Sequence, residues 1–248
     1  MTRAVKQPKA DQAVTTLKRV NTGQYPAGNL FIPAEHGQLE AILKGPRQDS
    51  PIGVALILHP HPLGGGTMHN KVVFRAAAAL NDAGLTTLRI NFRGVGQSTG
   101  QHDEGRGEQD DVRAGLDYLS QNYSGLRILL CGFSFGARVG LDVGINDPRV
   151  AYLIGIGTPL KMYDFSFLGS CRKPLLLVHG ENDEFGEVER LRELVAKLEP
   201  NVPVRLVVIP GADHFFEGHL DEVKRAITDW ATEQFAASPQ RGTKNHKK

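Results

Sequence analysis

The chain has 248 residues, 40% of them apolar, which is enough for a full core in one α/β-sized domain. Lys and Arg number 29 against 27 Asp and Glu, a formal charge of +2. No apolar run reaches the ~20 residues of a membrane span, which excludes a spanning segment.

The charge is uneven along the chain. Residues 1–20 carry five Lys/Arg against Asp11 alone, and residues 239–248 carry Arg241, Lys244, Lys247 and Lys248 without an acid. The two ends therefore hold +8 and the body about −6. They read as solvated basic tails, 1–20 and 239–248, around a single domain over 21–238. The acidic body offers no nucleic-acid footprint. Met1 to Val20 lacks the apolar core of a secretory signal. Cys131 and Cys171 are not spaced as metal ligands, and Cys131 reads as a buried free thiol. A cytoplasmic, reducing location is expected. Nothing in the sequence specifies an oligomeric state.

In chain order, Leu30–Pro33 and Leu39–Leu43 read as a hairpin around Glu35-His36-Gly37. Val54–Leu58 is a buried strand and Lys71–Ala83 a helix. Thr87–Phe92 is a strand, then Glu108–Tyr123 a helix. Arg127–Gly132 is a strand, followed by a helix over Ala137 to Ile145. Val150–Ile156 and Pro174–His179 are strands, Glu187–Leu198 a helix, Val204–Ile209 the last strand and His219–Phe235 the last helix. Continuous apolar strands alternating with helices predict an α/β fold, a mostly parallel sheet of about eight strands covered on both faces. Sites in such sheets lie beyond the carboxyl ends of the strands.

Gly132-Phe133-Ser134-Phe135-Gly136 falls at one of those ends, between a strand and a helix. It is a G-x-S-x-G pattern in the context a nucleophile elbow requires. Gly136, Gly140 and Gly144 share one helix face and allow close packing against a sheet. A serine hydroxyl needs a base, and the base an orienting acid, in the order Ser, Asp/Glu, His. Strand 174–179 runs into Gly180-Glu181-Asn182-Asp183-Glu184, and the last strand into Pro210-Gly211-Ala212-Asp213-His214-Phe215. Ser134, Asp183 and His214 are the candidate catalytic residues, with Glu181 and Glu184 as rivals to Asp183. Asp213 reads as structural. His36, His69, His102, His219 and His246 read as loop or surface residues.

His179-Gly180-Glu181-Asn182-Asp183 resembles the acid loop of α/β-hydrolases, and Gly211-Ala212-Asp213-His214-Phe215-Phe216 resembles their histidine loop. Asn91-Phe92-Arg93-Gly94-Val95-Gly96-Gln97-Ser98 is similar to another turn of that superfamily. The resemblance runs from about residue 30 to 236. His59-Pro60-His61-Pro62, with the other motifs, is similar to small bacterial hydrolases near the dienelactone-hydrolase-like branch, mostly predicted esterases. True dienelactone hydrolases carry cysteine where Ser134 stands. The resemblance implies an α/β-hydrolase fold and a serine hydrolase of carboxylic esters, working through an acyl-enzyme on a small-molecule ester without a cofactor. A thioesterase or small peptidase shares these parts, and a non-catalytic binding protein shares the fold.

An oxyanion hole requires two backbone N–H donors. One is expected from Phe135, the other from the loop after Val54–Leu58. Pro60 and Pro62 have no N–H, so the candidates are His61 and Leu63. His59, His61 and His69 lack a carboxylate in the same loop, and no metal is expected. Gly64–Gly66 lacks the Lys-Ser/Thr pair of a phosphate loop, and Arg93–Gly96 the third glycine of a dinucleotide fingerprint. Pro159 to Arg172 is too short for a lid domain. Its Tyr163, Phe165 and Phe167, with Phe133, Phe185 and Phe215, are candidates to line a small acyl pocket.

Overall fold

The computed structural model describes residues 28–198 and 201–236, so both basic tails lie outside the described residues. Every predicted strand and helix is present, Val150–Ile156 and Val204–Ile209 with the expected ends and the others with ends shifted by one or two residues. The strands are β1 (Gly28–Ala34), β2 (Gly37–Lys44), β3 (Gly53–Leu58), β4 (Leu85–Ile90), β5 (Ile128–Phe133), β6 (Val150–Ile156), β7 (Leu175–Gly180) and β8 (Val204–Ile209). The helices are α1 (Lys71–Asp82), α2 (Arg106–Asn122), α3 (Phe135–Asn146), α4 (Val188–Leu198) and α5 (Leu220–Ala236).

The strands form one sheet in the order β1-β2-β4-β3-β5-β6-β7-β8. β1 pairs antiparallel with β2 and β2 with β4; the other pairings are parallel. β3 through β7 are buried along their whole length, apart from a partly exposed Ala151, as strands covered on both faces must be. On β5, Ile128 and Leu130 join the core under α2, α3 and α4, while Leu129, Cys131 and Phe133 join the core under α1 and α5. Burial pushes the Cys131 thiol well above its ordinary pKa.

Two boundaries moved for identifiable reasons. β4 begins at Leu85, directly after the left-handed Gly84, and ends at Ile90, because the Phe92 N–H turns away to the His59 imidazole. α2 begins at Arg106, two residues before Glu108, because the Glu108 carboxylate reaches back to the Gly105 N–H at 2.9 Å and closes the helix start.

The glycine face of α3 sets its distance from the sheet. A Cβ on Gly136 would lie 2.6 Å from the His59 carbonyl oxygen, on Gly140 2.7 Å from Leu58, and on Gly144 2.5 Å from Leu153. Between β6 and β7 the chain makes a short 3₁₀ turn, Ser166–Ser170, and no lid domain.

Candidate active site

Ser134 occupies the single residue between β5 and α3. Its backbone stands at φ 55°, ψ −117°, a conformation an L-residue holds only under constraint. The constraint is visible. Its N–H is fixed to the Ile156 carbonyl at 2.9 Å, and Gly132 and Gly136 sit so close that a Cβ on Gly132 would collide with the Gly136 carbonyl. The turn brings the first amide of α3, Phe135 N–H, beside the serine. Such an amide has no acceptor within its own helix.

The loops after β7 and β8 meet Ser134. His214 Nε2 lies 2.9 Å from Ser134 Oγ, and His214 Nδ1 lies 2.8 Å from Asp183 Oδ2. A carboxylate only accepts, so Nδ1 carries the proton and Nε2 is free to accept from the serine hydroxyl. Asp183 is held in turn: its Oδ1 accepts the Phe185 N–H at 2.8 Å and the Gly186 N–H at 3.0 Å. All three side chains are buried. Glu181 instead accepts the Gly211 N–H at 2.8 Å, and Glu184 faces the His214 backbone at 3.4 Å, so neither rival meets the imidazole. Asp213 accepts the Glu217 N–H and shapes the histidine loop.

On the other side of Ser134 lies the loop after β3. His59 is buried, its Nε2 accepting the Phe92 N–H at 3.0 Å and its Nδ1 donating to the Pro60 carbonyl at 2.6 Å. Both ring nitrogens are engaged, so His59 cannot ligate a metal as placed. Burial drives its pKa down to about 4. The Leu63 N–H donates to His61 Nδ1 at 3.2 Å, and the Leu63 side chain is 75% exposed. Of the two expected second donors, Leu63 is thus already committed. His61 packs its ring 4.9 Å from the Phe135 ring.

The six aromatic residues separate into two groups. Phe133, Phe185 and Phe215 surround the His214 imidazole, with ring centroids at 5.1, 4.6 and 5.2 Å. Phe165 and Phe167 stack on each other at 5.7 Å away from that imidazole; Phe165 is buried in the core and Phe167 lies under the Arg138 guanidinium. Tyr163 stands 6.2 Å from Phe135 and borders a cleft of about 150 Å³ with Gly105, Phe135, Val139 and Arg138.

Several supporting residues carry no local sequence signal. Glu40 on β2 accepts the Gln97 N–H and the Asn91 amide. The fully buried Asp111 accepts the Arg93 backbone and guanidinium N–H groups and His36 Nε2. These two carboxylates hold the Asn91–Ser98 turn. His36 and His102, expected as plain loop or surface residues, are loop residues bound to the buried acids Asp111 and Glu108. His69 is exposed, His219 lies beside Glu222, and His246 falls outside the described residues. Gly157 was also missed. It sits at φ 53° with His214 Cε1 3.3 Å from where its Cβ would be. The one available signal is a glycine just beyond an apolar strand.

This sheet order, with a serine on a strained strand–helix turn facing a histidine and an aspartate from later loops, defines an α/β-hydrolase fold. The α/β hydrolase domain family profile matches residues 54–234, and the chain belongs to that family. An uncharacterized protein of Rickettsia prowazekii is 39% identical over 209 residues, covering 81% of this chain and 87% of that protein. An α/β serine hydrolase homologue from Coxiella burnetii is 38% identical with a TM-score of 0.77, covering 83% of this chain and 99% of that one. An α/β serine hydrolase without a lid from Xanthomonas campestris is 33% identical with a TM-score of 0.79, covering 87% and 99%. Among the described residues, no helix is long and apolar enough to cross a membrane.

Proposed function

We propose that this chain is a serine hydrolase that cleaves small carboxylic esters through an acyl-enzyme. The observation that carries the reading is the continuous hydrogen-bonded chain Ser134–His214–Asp183 on the strained turn after β5. In this reading His214 Nε2 takes the Ser134 proton as Oγ attacks the ester carbonyl carbon. The tetrahedral intermediate collapses, His214 returns that proton to the departing alkoxide, and the acyl group stays on Oγ. Water then repeats the sequence, releasing the acid. Asp183 fixes the imidazole tautomer and stabilises the imidazolium. The N–H groups of Phe135 and His61 receive the oxyanion, His61 being the candidate whose neighbour's amide is already used.

The aromatic rings around His214 suit short acyl or aryl groups. The connection between β6 and β7 is a short turn rather than a lid domain, which favours small substrates over long lipid chains in this reading.

The test is turnover of p-nitrophenyl acetate, butyrate and octanoate by the wild type and Ser134→Ala, with fluorophosphonate labelling of both. Labelling and turnover that vanish in the variant, with acetate and butyrate preferred, support the proposal. No labelling of folded wild type would sink the hydrolase reading, and activity rising steadily beyond acyl chains of about ten carbons would sink the small-substrate assignment.

A further inference from the structure

The acyl-transfer steps leave two imidazoles on buried acids unused, His36 on Asp111 and His102 on Glu108, and the second lies beside the serine turn. Glu108, in the first turn of α2, is fully buried. Its Oε1 accepts the Asp103 N–H at 3.0 Å, its Oε2 the Gly105 N–H at 2.9 Å, and its Oε1 also the His102 Nδ1–H at 2.7 Å. The proton of His102 is therefore on Nδ1, and Nε2 is an acceptor. The His102 side chain is only 8% exposed, and this Nε2 has no hydrogen-bond partner. Glu104 Oε1, at 3.7 Å, is beyond bonding distance and offers no proton of its own as a carboxylate.

Two rings cover this imidazole, His61 at 4.9 Å and Phe135 at 5.6 Å. They belong to the two residues whose N–H groups are the proposed oxyanion donors. Because His61 Nδ1 accepts the Leu63 N–H, the His61 proton is on Nε2. His61 thus has a donor to give where His102 lacks one. The bond to Glu108 accounts for Nδ1, but packing and that bond together leave Nε2 a buried acceptor without a partner, which is what remains to be explained.

We infer that Glu108 and His102 are positioning residues for the oxyanion hole: Glu108 fixes the His102 tautomer, and His102 Nε2 receives the His61 Nε2–H as the His61 side chain turns toward it with substrate bound. The inference rests on the hydrolase reading above and on His61 as second donor. The Glu108–His102–His61 chain then mirrors Asp183–His214–Ser134 across the serine. One chain sets the proton acceptor and the other sets an amide.

The experiment measures kcat and KM for p-nitrophenyl butyrate, and the rate ratio of the oxygen ester to its thionoester, in His102→Leu, His102→Gln and Glu108→Gln. Sulfur accepts N–H bonds poorly, so this ratio reports on the oxyanion hole, whereas general damage lowers both rates together. His102→Leu is expected to lower kcat about tenfold or more, short of the loss of a whole donor, with KM within about twofold and a smaller ratio. His102→Gln, whose side-chain carbonyl offers an acceptor, should recover a good part of kcat. Glu108→Gln keeps its oxygen at the Oε1 position, where the Asp103 and His102 N–H groups both meet it, so it preserves the Nδ1 tautomer and should retain most of kcat. A folded His102→Leu with wild-type kcat and ratio overturns the inference, as does a loss of kcat with an unchanged ratio. If His102→Leu does not fold, His102→Met decides by the same two readouts. Absence of Ser134-dependent turnover in the wild type would instead overturn the hydrolase reading before any change at 102 or 108.

Discussion

His59 Nε2 accepts the Phe92 backbone N–H across 33 residues of sequence, at 3.0 Å and out of contact with water. That bond joins the loop after β3 to the turn after β4, the two backbone segments flanking Ser134 on one side. It requires a neutral imidazole, since a protonated Nε2 would face the amide with a second donor.

An acid-sensitive stability follows. Folded His59 titrates at about 4, and unfolded near 6.5. Between those values the unfolded chain binds the extra proton, so stability is full above pH 6.5 and falls as pH drops toward 4. The complete loss is about 3 kcal/mol. Burial also lowers His179, which steepens the same limb. Urea midpoints from pH 7.5 to 4.5 should decline more steeply for the wild type than for His59→Gln, and parallel curves would remove His59 as the cause.

Asp183→Asn should cripple turnover without unfolding the protein. The asparagine oxygen can keep the Phe185 and Gly186 amides, which leaves its NH₂ facing His214 Nδ1. The imidazole proton then moves to Nε2, where it can no longer accept from Ser134. A loss in kcat on the order of 10³- to 10⁴-fold is expected, with thermal midpoint little changed. Near-normal kcat would mean Asp183 does not orient the base.

Fold and site differ in how far the sequence discloses them. Ser134, Asp183 and His214 each sit in a short local pattern at the end of an apolar strand, so their order along the chain survives folding as their arrangement in space. The same holds for the glycine face of α3. By contrast, Glu40, Asp111, Glu108 and His59 act through bonds to loops that no helix or strand period brings into register. A carboxylate in a helical stretch reads as a solvated face until the loop that packs over it is known. Phe165 and Phe167 were ambiguous for the complementary reason: an apolar ring in a loop fits a pocket or a core equally well, and here the core took them.

Phe215 and Phe165 separate those two roles by experiment. Phe215 is half exposed against His214, so Phe215→Ala should change stability by no more than about 0.5 kcal/mol and raise KM for aryl esters several-fold. Phe165→Ala should cost about 3–5 kcal/mol and leave kcat per folded molecule unaltered. Denaturation curves and Michaelis constants on both variants check the assignment. The reverse pattern would exchange their places.

Two glycines of α3 should respond unequally to alanine. At Gly140 the new methyl meets the end of the Leu58 side chain, which has rotamers to yield, and helix propensity improves by ~1 kcal/mol, so a small net effect is expected. At Gly136 it meets the His59 carbonyl, which is backbone and fixed. Gly136→Ala should cost about 2–3 kcal/mol and reduce turnover, because the segment carrying His61 must move. Equal thermal shifts for the two variants would contradict this.

The contact between Gly136 and the His59 carbonyl has a further consequence. It makes the serine turn and the loop after β3 one rigid casting, to which the 210–219 loop is bonded through His214 and the connection between β6 and β7 is pinned by the buried Phe165 and Leu168, leaving Lys161, Met162 and Asp164 of that connection exposed. Novelty in substrate choice can therefore arise in the exposed 161–164 stretch between β6 and β7, where a longer insert can be grafted on without recasting the chemistry beneath.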